Sequence, residues 1–443
     1  MGAARSARRR GVHVLLVQAG EIGGECTFTG CVPSKSLIAA AARGADFGQA
    51  MAAVEAAIRT IAASEDDHVF RNEGIDVIHE EAHFLGAGRL RVGGREMRTG
   101  RVVIATGSSP LVPPIEGLNQ AHPLTNENVF AVGIQPRQMS IVGGGPIGCE
   151  LAQAFQRLGS QVTVIEAGDR LLPKEEPETS QLVLEVLAEE GVDVRLQSTL
   201  QKVESSGSGS RGRLRLSRGD TLDADAILVA AGRLPRTESL NLAAAKVETD
   251  ERGFIVTNDF METSARGIWA AGDVTGKLMF THAADYMGRV AAGNALSRIG
   301  RSRFSTDAIP WVTFTSPEVG RVGMTEAEAA SLGARVAYLP MQELDRAVAT
   351  GATRGFIKLI AAPRWVSRNL GGGRILGATV VCERGGELVD EVALAMKTRM
   401  FAGRLAQTVH AYPTWSAGLQ KAAAQFFFAI EGREARPAEP AAH

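Results

Sequence analysis

The segment MSIVGGGPIGCE, residues 139–150, decides the fold of this chain. A short apolar strand runs directly into Gly143, Gly145 and Gly148, and a helix is predicted to follow. Glycines at this spacing permit a tight turn and let the backbone approach a diphosphate, which the helix N-terminus attracts. A lone glycine pattern is weak evidence, but the flanking strand and helix make this segment a predicted dinucleotide-binding unit.

An acidic residue completes this unit. The next apolar strand, residues 161–165, ends in Glu166, which follows Gly148 by 18 residues. A carboxylate in this place accepts a hydrogen bond from the ribose 2′-hydroxyl of NADH and repels the 2′-phosphate of NADPH. We therefore expect NADH to be favoured, while Arg170 nearby leaves NADPH open.

A second segment, GGECTFTGCVPSK at residues 23–35, carries two of the four cysteines, Cys26 and Cys31. A disulfide needs its two Cα atoms within about 7 Å, so the four intervening residues must fold back in a tight turn. Gly30 supplies the backbone freedom for that turn and leaves room for a flat ring to approach. Cys31 begins a predicted helix, whose N–H groups and dipole stabilise a thiolate.

These two cysteines have three interpretations: a redox pair, a structural disulfide, or two buried thiols. The flanking Gly-Gly and Pro-Ser-Lys residues have no role in a simple cross-link. Four cysteines in 443 residues do not make an extracellular disulfide framework, and a close pair in a cytosolic enzyme is more often catalytic. We therefore predict a redox-active pair.

Composition and net charge argue against several other classes of protein. The apolar content of 45% and charged content of 22% are those of an ordinary globular protein. A net charge of −1 gives no electrostatic case for nucleic-acid binding. No apolar run nears the roughly 18 residues of a membrane helix, and no secretory signal peptide is recognisable. We expect a cytoplasmic protein that does not bind membranes, and we assign no resident metal site.

The first residues read as the second half of another dinucleotide-binding unit. A helix over residues 3–10 leads through Gly11 into a buried strand at 12–17, which ends in Gln18. The strand and glycine-rich loop that open such a unit are expected upstream, and Met1 falls about where that loop would end. We expect a start site assigned too late. The alternative is a truncated fragment without activity.

Three later segments also consist of an apolar strand followed by glycine. They are residues 101–107 ending in Gly107, residues 226–232 ending in Gly232, and residues 267–274 containing Gly272 and Asp273. A helix start containing His282 follows the last of these. From residue 309 the pattern changes to alternating strands with helices, which indicates a domain of a different kind.

Together these patterns resemble the flavin-dependent pyridine nucleotide–disulfide oxidoreductases, over about residues 1–428. The resemblance implies an α/β fold with two Rossmann-like dinucleotide-binding domains, for FAD and NAD(P), plus an α+β C-terminal dimerisation domain. The implied domains are an FAD-binding domain at 1–135 that lacks its first strand and GxGxxG loop, an NAD(P)-binding domain at 136–250, a second FAD-binding segment at 251–306, a dimerisation domain at 307–428 and a disordered tail at 429–443.

The resemblance also implies which residues bind the cofactors. For FAD they are Gln18, where the family usually has a Glu for the adenosine ribose, Lys35, Gly107, Gly272, Asp273, which would bind the ribityl chain, and His282. For NAD(P)H they are Gly143, Gly145, Gly148, Glu150, Glu166 and Gly232. His282 has a simpler interpretation as a helix-start residue, and Glu150 as a first-turn carboxylate favoured by the helix dipole.

The segment HAYPTWSA, residues 410–417, departs from the disulfide-reducing members. Those members carry a His–Glu pair that protonates the leaving thiolate, but here Tyr412 and Ala417 occupy the two positions. A Tyr of pKa about 10 is a poor base at pH 7, and His410 matches a different family position. A Tyr at this position resembles the mercuric-reductase-like members. Those members also carry a cysteine pair near the C-terminus, whereas this chain has no cysteine after Cys382.

The implied function is that of a homodimeric enzyme. NAD(P)H would reduce FAD, and the flavin would open the Cys26–Cys31 disulfide. Cys31 would be the thiolate against the flavin, Cys26 the thiol that faces the substrate, and Tyr412 would come from the partner subunit. The electron acceptor is predicted to be a small molecule or a metal ion, such as a disulfide, a quinone or a soft metal. The alternatives are a dihydrolipoyl dehydrogenase and a non-catalytic flavoprotein fragment.

Overall fold

The computed structural model describes residues 1–205, 212–363 and 370–440. The chain divides into two compact units. The first comprises residues 1–143, 157–160 and 200–304, and the second comprises residues 144–156, 161–199 and 305–443. Among the described residues, no helix is both long and apolar enough to cross a lipid bilayer.

The α-helices have the following bounds: α1 Gly2–Arg8, α2 Gly24–Phe28, α3 Cys31–Ala42, α4 Phe47–Ala63, α5 Asp67–Asn72, α6 Pro146–Arg157, α7 Pro177–Glu189, α8 Leu242–Ala245, α9 Thr281–Leu296, α10 Glu326–Ala329, α11 Asp345–Thr350, α12 Gly385–Lys397, α13 Ala402–Gln407 and α14 Ala417–Ala424. Local signals explain several of these ends. Asp46 and Gln49 form a capping box that begins α4, because each side chain accepts from the other's backbone N–H.

The strands up to residue 195 are β1 Leu15–Val17, β2 Asp76–Ile78, β3 Ala82–Gly86, β4 Arg89–Val92, β5 Arg95–Arg98, β6 Val102–Ile104, β7 Ser108–Pro110, β8 Gln138–Val142, β9 Gln161–Ile165 and β10 Asp193–Arg195. The later strands are β11 Leu200–Ser205, β12 Gly212–Leu216, β13 Thr221–Ala224, β14 Ala226–Val229, β15 Arg233–Pro235, β16 Ile268–Ala270, β17 Pro310–Thr313, β18 Glu318–Gly323, β19 Arg335–Pro340, β20 Phe356–Ala362, β21 Arg374–Cys382 and β22 Arg436–Pro437.

Parallel strand pairs carry the dinucleotide-binding character of the first unit. β1 pairs with β2, β6 pairs with β16, and β8 pairs with β14. Their apolar sequences fit strands covered on both faces. Helices α1 and α9 pack against each other, and Gly288 makes that packing possible, since a Cβ there would lie 3.0 Å from the backbone nitrogen of Ala3.

The apolar core of the first unit is divided into clusters. One cluster joins β3, β6, α8 and β16 through Phe84, Ile104, Leu242, Ala245, Ile268 and Ala270, all of which are buried. Another lies under α1 and β2 and contains Ala4, Ile22, Phe70, Ile75 and Val77. This second cluster anchors the loop that leads from β1 into the cysteine segment.

Antiparallel ribbons complete the first unit. β3, β4 and β5 form one three-stranded sheet, and β11, β12 and β13 form another. A two-stranded ribbon joins β7 to β15, with Leu234 opposite Ser109 and Arg233 opposite Pro110. This last ribbon places Arg233, the first residue of β15, opposite the last residue of β7, the strand that directly follows Gly107.

The second unit is organised by a six-stranded sheet in the order β17-β18-β21-β20-β19-β22, in which neighbouring strands are antiparallel. Helix α12 packs on β18 and β21, and α14 packs on β19 and β20. Its core includes Leu359, Val380, Val392 and Leu419, whose side chains are fully buried. The parallel pair β9–β10 belongs to the same unit. This arrangement agrees with the α+β character that the sequence predicts from residue 309.

Several predicted bounds differ from the structure. The Ala-rich region after Lys35 forms two helices, α3 and α4, because Gly44 adopts a left-handed φ of +74° between them. The strand predicted at 12–17 is shorter and starts at Leu15. The predicted domain boundaries at 136, 251 and 307 stay predictions.

The disordered tail predicted at 429–443 is wrong for its described part. Arg436 pairs with Val336 at the edge of the six-stranded sheet, and its guanidinium binds the carboxylate of Glu326. The polar composition predicted disorder, but an ion pair and a free sheet edge hold this segment. Residues 441–443 lie outside the described residues.

A buried cluster of charges lies at the centre of the second unit. Lys358 in β20 has a side chain only 2% exposed, and its Nζ lies 2.9 Å from Glu326 and 3.5 Å from Glu176. Glu178 also binds this amine. Burial alone would lower the pKa of Lys358, but the carboxylates outweigh it and raise the pKa above its ordinary value. The lysine therefore stays charged and compensates carboxylates that would otherwise be buried alone.

Lys358→Met is expected to destabilise the protein by about 3 to 5 kcal/mol, because removing one partner of a buried ion pair leaves the others uncompensated. Urea denaturation followed by circular dichroism measures this loss. Lys202→Met is the matched control, since its amine pairs with Glu116 in an exposed ion pair and such pairs are worth about 0 to 1 kcal/mol. Equal effects of the two variants would contradict this account of the cluster.

Candidate active site

The redox turn, residues 25–31, brings the two cysteines together. Cys26 lies in α2 and Cys31 is the first residue of α3. A Cβ at Gly30 would lie 2.8 Å from the carbonyl oxygen of Glu25 and 3.3 Å from the Cα of Cys26, so only glycine allows the turn to close this tightly. Both cysteines are thiols in the structure, and they hydrogen-bond to each other through their side chains. The two sulfurs of the predicted redox pair therefore lie side by side.

Cys31 lies where two helices begin. It opens α3, and its Sγ lies 3.5 Å from the Oγ1 of Thr281, the first residue of α9. Neither helix has a side-chain N-cap, so their first N–H groups and their dipoles favour a negative charge at this place. Cys31 is also exposed. This geometry favours a reactive thiolate at Cys31.

The other cysteines are held in the thiol form. The hydrogen bond to Cys31 and, after it, burial raise the pKa of Cys26 far above its ordinary value. Burial likewise raises the pKa of Cys149, and it raises the pKa of Cys382 to about 12. The four cysteines thus fall into two groups. Cys26 and Cys31 form the predicted pair, in which Cys26 keeps its proton and Cys31 is exposed, whereas Cys149 and Cys382 are buried thiols.

The predicted flavin residues Gly107, Gly272 and Asp273 follow the ends of two parallel strands. β6 and β16 run side by side with Ile104 opposite Ala270, so their carboxyl ends open at the same edge. Ligands of open α/β sheets bind outside such ends. Among the described residues, no atom other than those of its chain neighbours lies within 4 Å of a Cβ placed on Gly107. The carboxylate of Asp273 accepts a hydrogen bond of 2.8 Å from Ser108.

The other predicted FAD residues lie in the same unit. Gln18 continues β1 through a backbone hydrogen bond to Ile78, and its side chain donates to the carbonyl of Glu21 at 3.3 Å. An open cleft of about 780 Å³ begins directly after it at Ala19. His282, the second residue of α9, is exposed and stacks on the ring of Phe280. Lys35 is half-buried in α3.

The predicted nicotinamide residues divide between the two units. Glu166 accepts hydrogen bonds of 2.6 Å from the backbone N–H groups of Gly144 and Gly168. The acid thus binds the glycine-rich loop itself and fixes its carboxylate at the end of β9. Gly143 has a φ of +116°. In the part of the chain that the structure describes, no atom beyond the neighbouring residues lies within 4 Å of a Cβ placed on Gly145. The loop therefore has an open side that a diphosphate could approach.

Glu150, Gly148 and Gly232 complete that set. The carboxylate of Glu150 is buried and accepts a hydrogen bond of 2.8 Å from the backbone N–H of Phe314. Gly148 is buried in the first turn of α6, and Gly232 follows β14 with a φ of +139°. The buried hydrogen bond gives Glu150 a clear packing role, in addition to the cofactor role that the sequence suggested.

Tyr412 is 76% exposed. A hydrogen bond to the carboxylate of Asp345 and the charge of that group raise the pKa of the Tyr412 phenol. The phenol therefore keeps its proton throughout the neutral pH range. This geometry agrees with the expectation that Tyr412 is no general base.

His410 belongs to a pair that the sequence did not suggest. Its Nε2 lies 2.8 Å from Glu391 in α12, and its Nδ1 lies 2.9 Å from the carbonyl oxygen of Thr408. The imidazole is 6% exposed. Both ring nitrogens lie within hydrogen-bond distance of an oxygen atom, so the ring is held in place within the loop.

Comparison with known proteins decides the family. The profile described as pyridine nucleotide-disulphide oxidoreductase matches residues 1–288, and the profile of its dimerisation domain matches residues 309–423. The chain belongs to the pyridine nucleotide–disulphide oxidoreductase family. The family and the fold class that the sequence predicts are therefore confirmed.

The chain is similar to relatives that are named mercuric reductase and to one that is named dihydrolipoyl dehydrogenase. The mercuric reductase of Lysinibacillus sphaericus is 34% identical over 94% of this chain and 78% of its own length. The dihydrolipoyl dehydrogenase of Thermus scotoductus is also 34% identical, over 93% of this chain and 92% of its own length. Among solved structures, the HOCl-induced flavoprotein disulfide reductase RclA of Escherichia coli is 30% identical with a TM-score of 0.85, covering 95% of this chain and 96% of RclA.

The family is FAD-dependent and uses NAD(P)H. The residues of this chain fit the flavin end of that cofactor, because open space at Gly107, a half-exposed carboxylate at Asp273 and an exposed sulfur at Cys31 occur in one unit. Cys31 is tied to the start of α9 through Thr281, and α9 follows the Asp273 turn directly. A flat ring beside Cys31 would therefore have the α9 N-terminus near it.

Sequence reasoning missed the residues that reach the site from far along the chain. Arg233 binds Glu25, which precedes it by 208 residues, and Asn126 donates to the same carboxylate across 101 residues. No local spacing connects residues so distant. Only the Gly-Arg pair at 232–233 gave any signal, as part of a strand end.

Cys31→Ser is expected to increase the alkylation rate of Cys26 by iodoacetamide about tenfold at pH 8. The contact with Cys31 is the main cause of the raised Cys26 pKa, and each unit by which that pKa falls gives about ten times more thiolate. Mass spectrometry of the Cys26 peptide measures the rate, with the buried Cys149 as an internal reference. An unchanged or slower Cys26 reaction would show that the contact does not control this thiol.

Proposed function

We propose that this chain transfers electrons from NAD(P)H to the Cys26–Cys31 pair and from there to a soft metal ion or a small disulfide. FAD, when bound, supplies the chemistry that accepts a hydride and delivers two electrons. The hydrogen-bonded thiol pair, with the exposed Cys31 at two helix N-termini, is the observation that carries the proposal. Structural cysteines need neither this exposure nor this placement.

The two sulfurs have different proposed roles. Cys31 lies on the side of Thr281 and α9, where the predicted flavin residues also lie, so it is the sulfur that faces the flavin. Cys26 carries the proton, since its pKa is raised by the contact with Cys31 and by burial. Cys26 is accordingly the thiol that meets the acceptor and receives the proton when the pair is reduced.

The acceptor side favours a metal ion. Thiolates are fitting ligands for soft metal ions, and several of the similar proteins are named mercuric reductases. RclA has been solved as a Cu(II) complex. Reducing a disulfide also requires a proton for the leaving thiolate, and the phenol of Tyr412, whose pKa is raised by Asp345, is a weaker acid than a thiol.

Dihydrolipoyl dehydrogenase is the second candidate, because one similar protein carries that name over nearly its whole length. That reaction removes protons from a dithiol, so it needs a base. Tyr412 keeps its own proton because of Asp345. This site therefore supports metal-ion reduction better than dihydrolipoamide oxidation.

The proposed assembly is a homodimer. The dimerisation-domain match at 309–423 supports it, as does the exposure of Tyr412, which we infer to complete the site of the other subunit. We also propose a cytoplasmic location, since four cysteines in 443 residues do not make an extracellular disulfide framework.

Flavin-loaded protein is expected to oxidise NAD(P)H with Hg(II) much faster than with lipoamide, glutathione disulfide or a quinone. Cys26→Ser should lower the Hg(II) rate by about three orders of magnitude or more, since the two thiols act as one unit. Cys382→Ala is the control and should keep the rate, because Cys382 lies buried in β21. Rapid turnover of dihydrolipoamide would contradict the metal-ion proposal, and full activity of Cys26→Ser would contradict the role of the thiol pair.

The nicotinamide preference is proposed to be for NADH. Glu166 holds its carboxylate at the end of β9 through the N–H groups of Gly144 and Gly168. The remaining lone pairs can accept from a ribose hydroxyl, whereas a 2′-phosphate would meet a negative charge.

Glu166→Gln is expected to lower the ratio of kcat/KM for NADH to that for NADPH about tenfold, because a hydrogen bond to a charged group is worth about 1.5 kcal/mol or more. Steady-state kinetics with both cofactors measures the ratio. Glu185→Gln, on the exposed side of α7, is the control. A ratio that stays constant or rises in Glu166→Gln would contradict the preference.

A further inference from the structure

The carboxylate of Glu25 is the centre of a hydrogen-bonded chain that reaches across the first unit. Glu25 directly precedes Cys26, and its two oxygens have different partners. Asn126 donates to Oε1 at 2.8 Å, and the guanidinium of Arg233 binds Oε2. Both oxygens are therefore engaged by residues that lie far from the redox turn in the sequence.

Asn126 holds the redox turn at two points. Its amide nitrogen donates to the carboxylate of Glu25 and also, at 3.3 Å, to the carbonyl oxygen of Thr29. Glu25 directly precedes Cys26, and Thr29 is one of the four residues that separate Cys26 from Cys31. The Asn126 side chain is buried, with 7% exposed, so it is a fixed support for the turn.

Arg233 carries the contact onward. Its Nε donates to the hydroxyl of Ser108 at 2.7 Å, and Ser108 donates to Asp273 at 2.8 Å. The Nε also lies 3.6 Å from the Asp273 carboxylate. The Arg233 side chain is 14% exposed and that of Ser108 is buried. A largely buried cation therefore lies between one carboxylate beside the cysteines and another at the predicted flavin site.

The redox turn needs such support because its own helix is weak. α2 has only five residues and no side-chain N-cap, and helices this short are not stable without tertiary contacts. The position of the Cys26 sulfur relative to that of Cys31 must therefore be set by contacts from outside the turn.

We propose that Glu25 and Arg233 are positioning residues of the redox reaction, which hold Cys26 within bonding reach of Cys31 and tie the redox turn to Asp273. This inference rests on the proposed role of Cys26 and Cys31 as a redox pair. We call Asn126, Glu25, Arg233, Ser108 and Asp273 the turn clamp. Its effect appears in the stability of the disulfide, because that stability measures the effective concentration of one thiol at the other.

The test is the equilibrium of the purified full chain with mixtures of reduced and oxidised glutathione. In this reaction the two thiols lose two electrons and two protons and form one S–S bond, while glutathione disulfide gains them and becomes two thiols. The fraction of oxidised pair is read by mass spectrometry after the free thiols are alkylated. No flavin is needed for the measurement.

Glu25→Gln and Arg233→Gln are each expected to lower the equilibrium constant for disulfide formation about tenfold, which is about 30 mV for a two-electron couple. Arg236→Gln is the matched control, because Arg236 forms an exposed ion pair with Glu127 in the same segment. The control should leave the constant within about twofold of that of the parent chain. Urea denaturation of each variant measures its folding stability separately, so a loss of folding stability can be distinguished from a change in this equilibrium constant.

The double variant Glu25→Gln with Arg233→Gln is expected to lose no more than either single variant, because both substitutions break the same contact. Additive losses, or constants equal to that of the parent chain, would overturn the turn clamp. If Arg233→Gln does not fold, Glu25→Gln and Asn126→Leu decide the question alone. A parent chain that forms no Cys26–Cys31 disulfide at any glutathione ratio would instead refute the proposed redox function.

Discussion

The close approach of Gly30 to the backbone of Glu25 and Cys26 is the constraint on which the redox site depends. A side chain at Gly30 would lie 2.8 Å from the Glu25 carbonyl oxygen, so the turn could not fold back and the thiols of Cys26 and Cys31 could not meet. The same turn ends where α3 begins. Closure of the turn and placement of Cys31 at a helix N-terminus are therefore one event, and the chemistry of the pair follows from the backbone.

The parallel strands supply the second half of the site. β6 and β16 end at one edge, and the loop after β16 passes through Asp273 into α9. The start of α9 then meets Cys31 through Thr281. Sheet topology thus brings the carboxylate predicted to bind the flavin, the start of a helix and the sulfur of Cys31 into one unit, although they are up to 250 residues apart in the chain.

The sequence predicts features that depend on residues close together in the chain, but it misses contacts between residues that are far apart in the chain. The family, the fold class and the pairing of Cys26 with Cys31 follow from motifs a few residues long, and so does the loop in which Glu166 binds Gly144. The contacts of Arg233 with Glu25, and of His410 with Glu391, depend on which strands and helices become neighbours. The tail shows the same limit, because its polar composition indicates disorder while one ion pair of Arg436 holds it to the sheet.

The residues near Tyr412 bear on which electron acceptor the enzyme can reduce. When a disulfide substrate is attacked, one of its sulfurs leaves as a thiolate, so a group that can donate a proton at neutral pH has to lie beside it. Here Asp345 raises the pKa of the Tyr412 phenol, which makes that phenol a weaker proton donor. A soft metal ion that binds the two sulfurs displaces the thiol proton to solvent, and no leaving group then has to be protonated. The weak acidity of Tyr412 would therefore hinder disulfide reduction much more than metal-ion reduction.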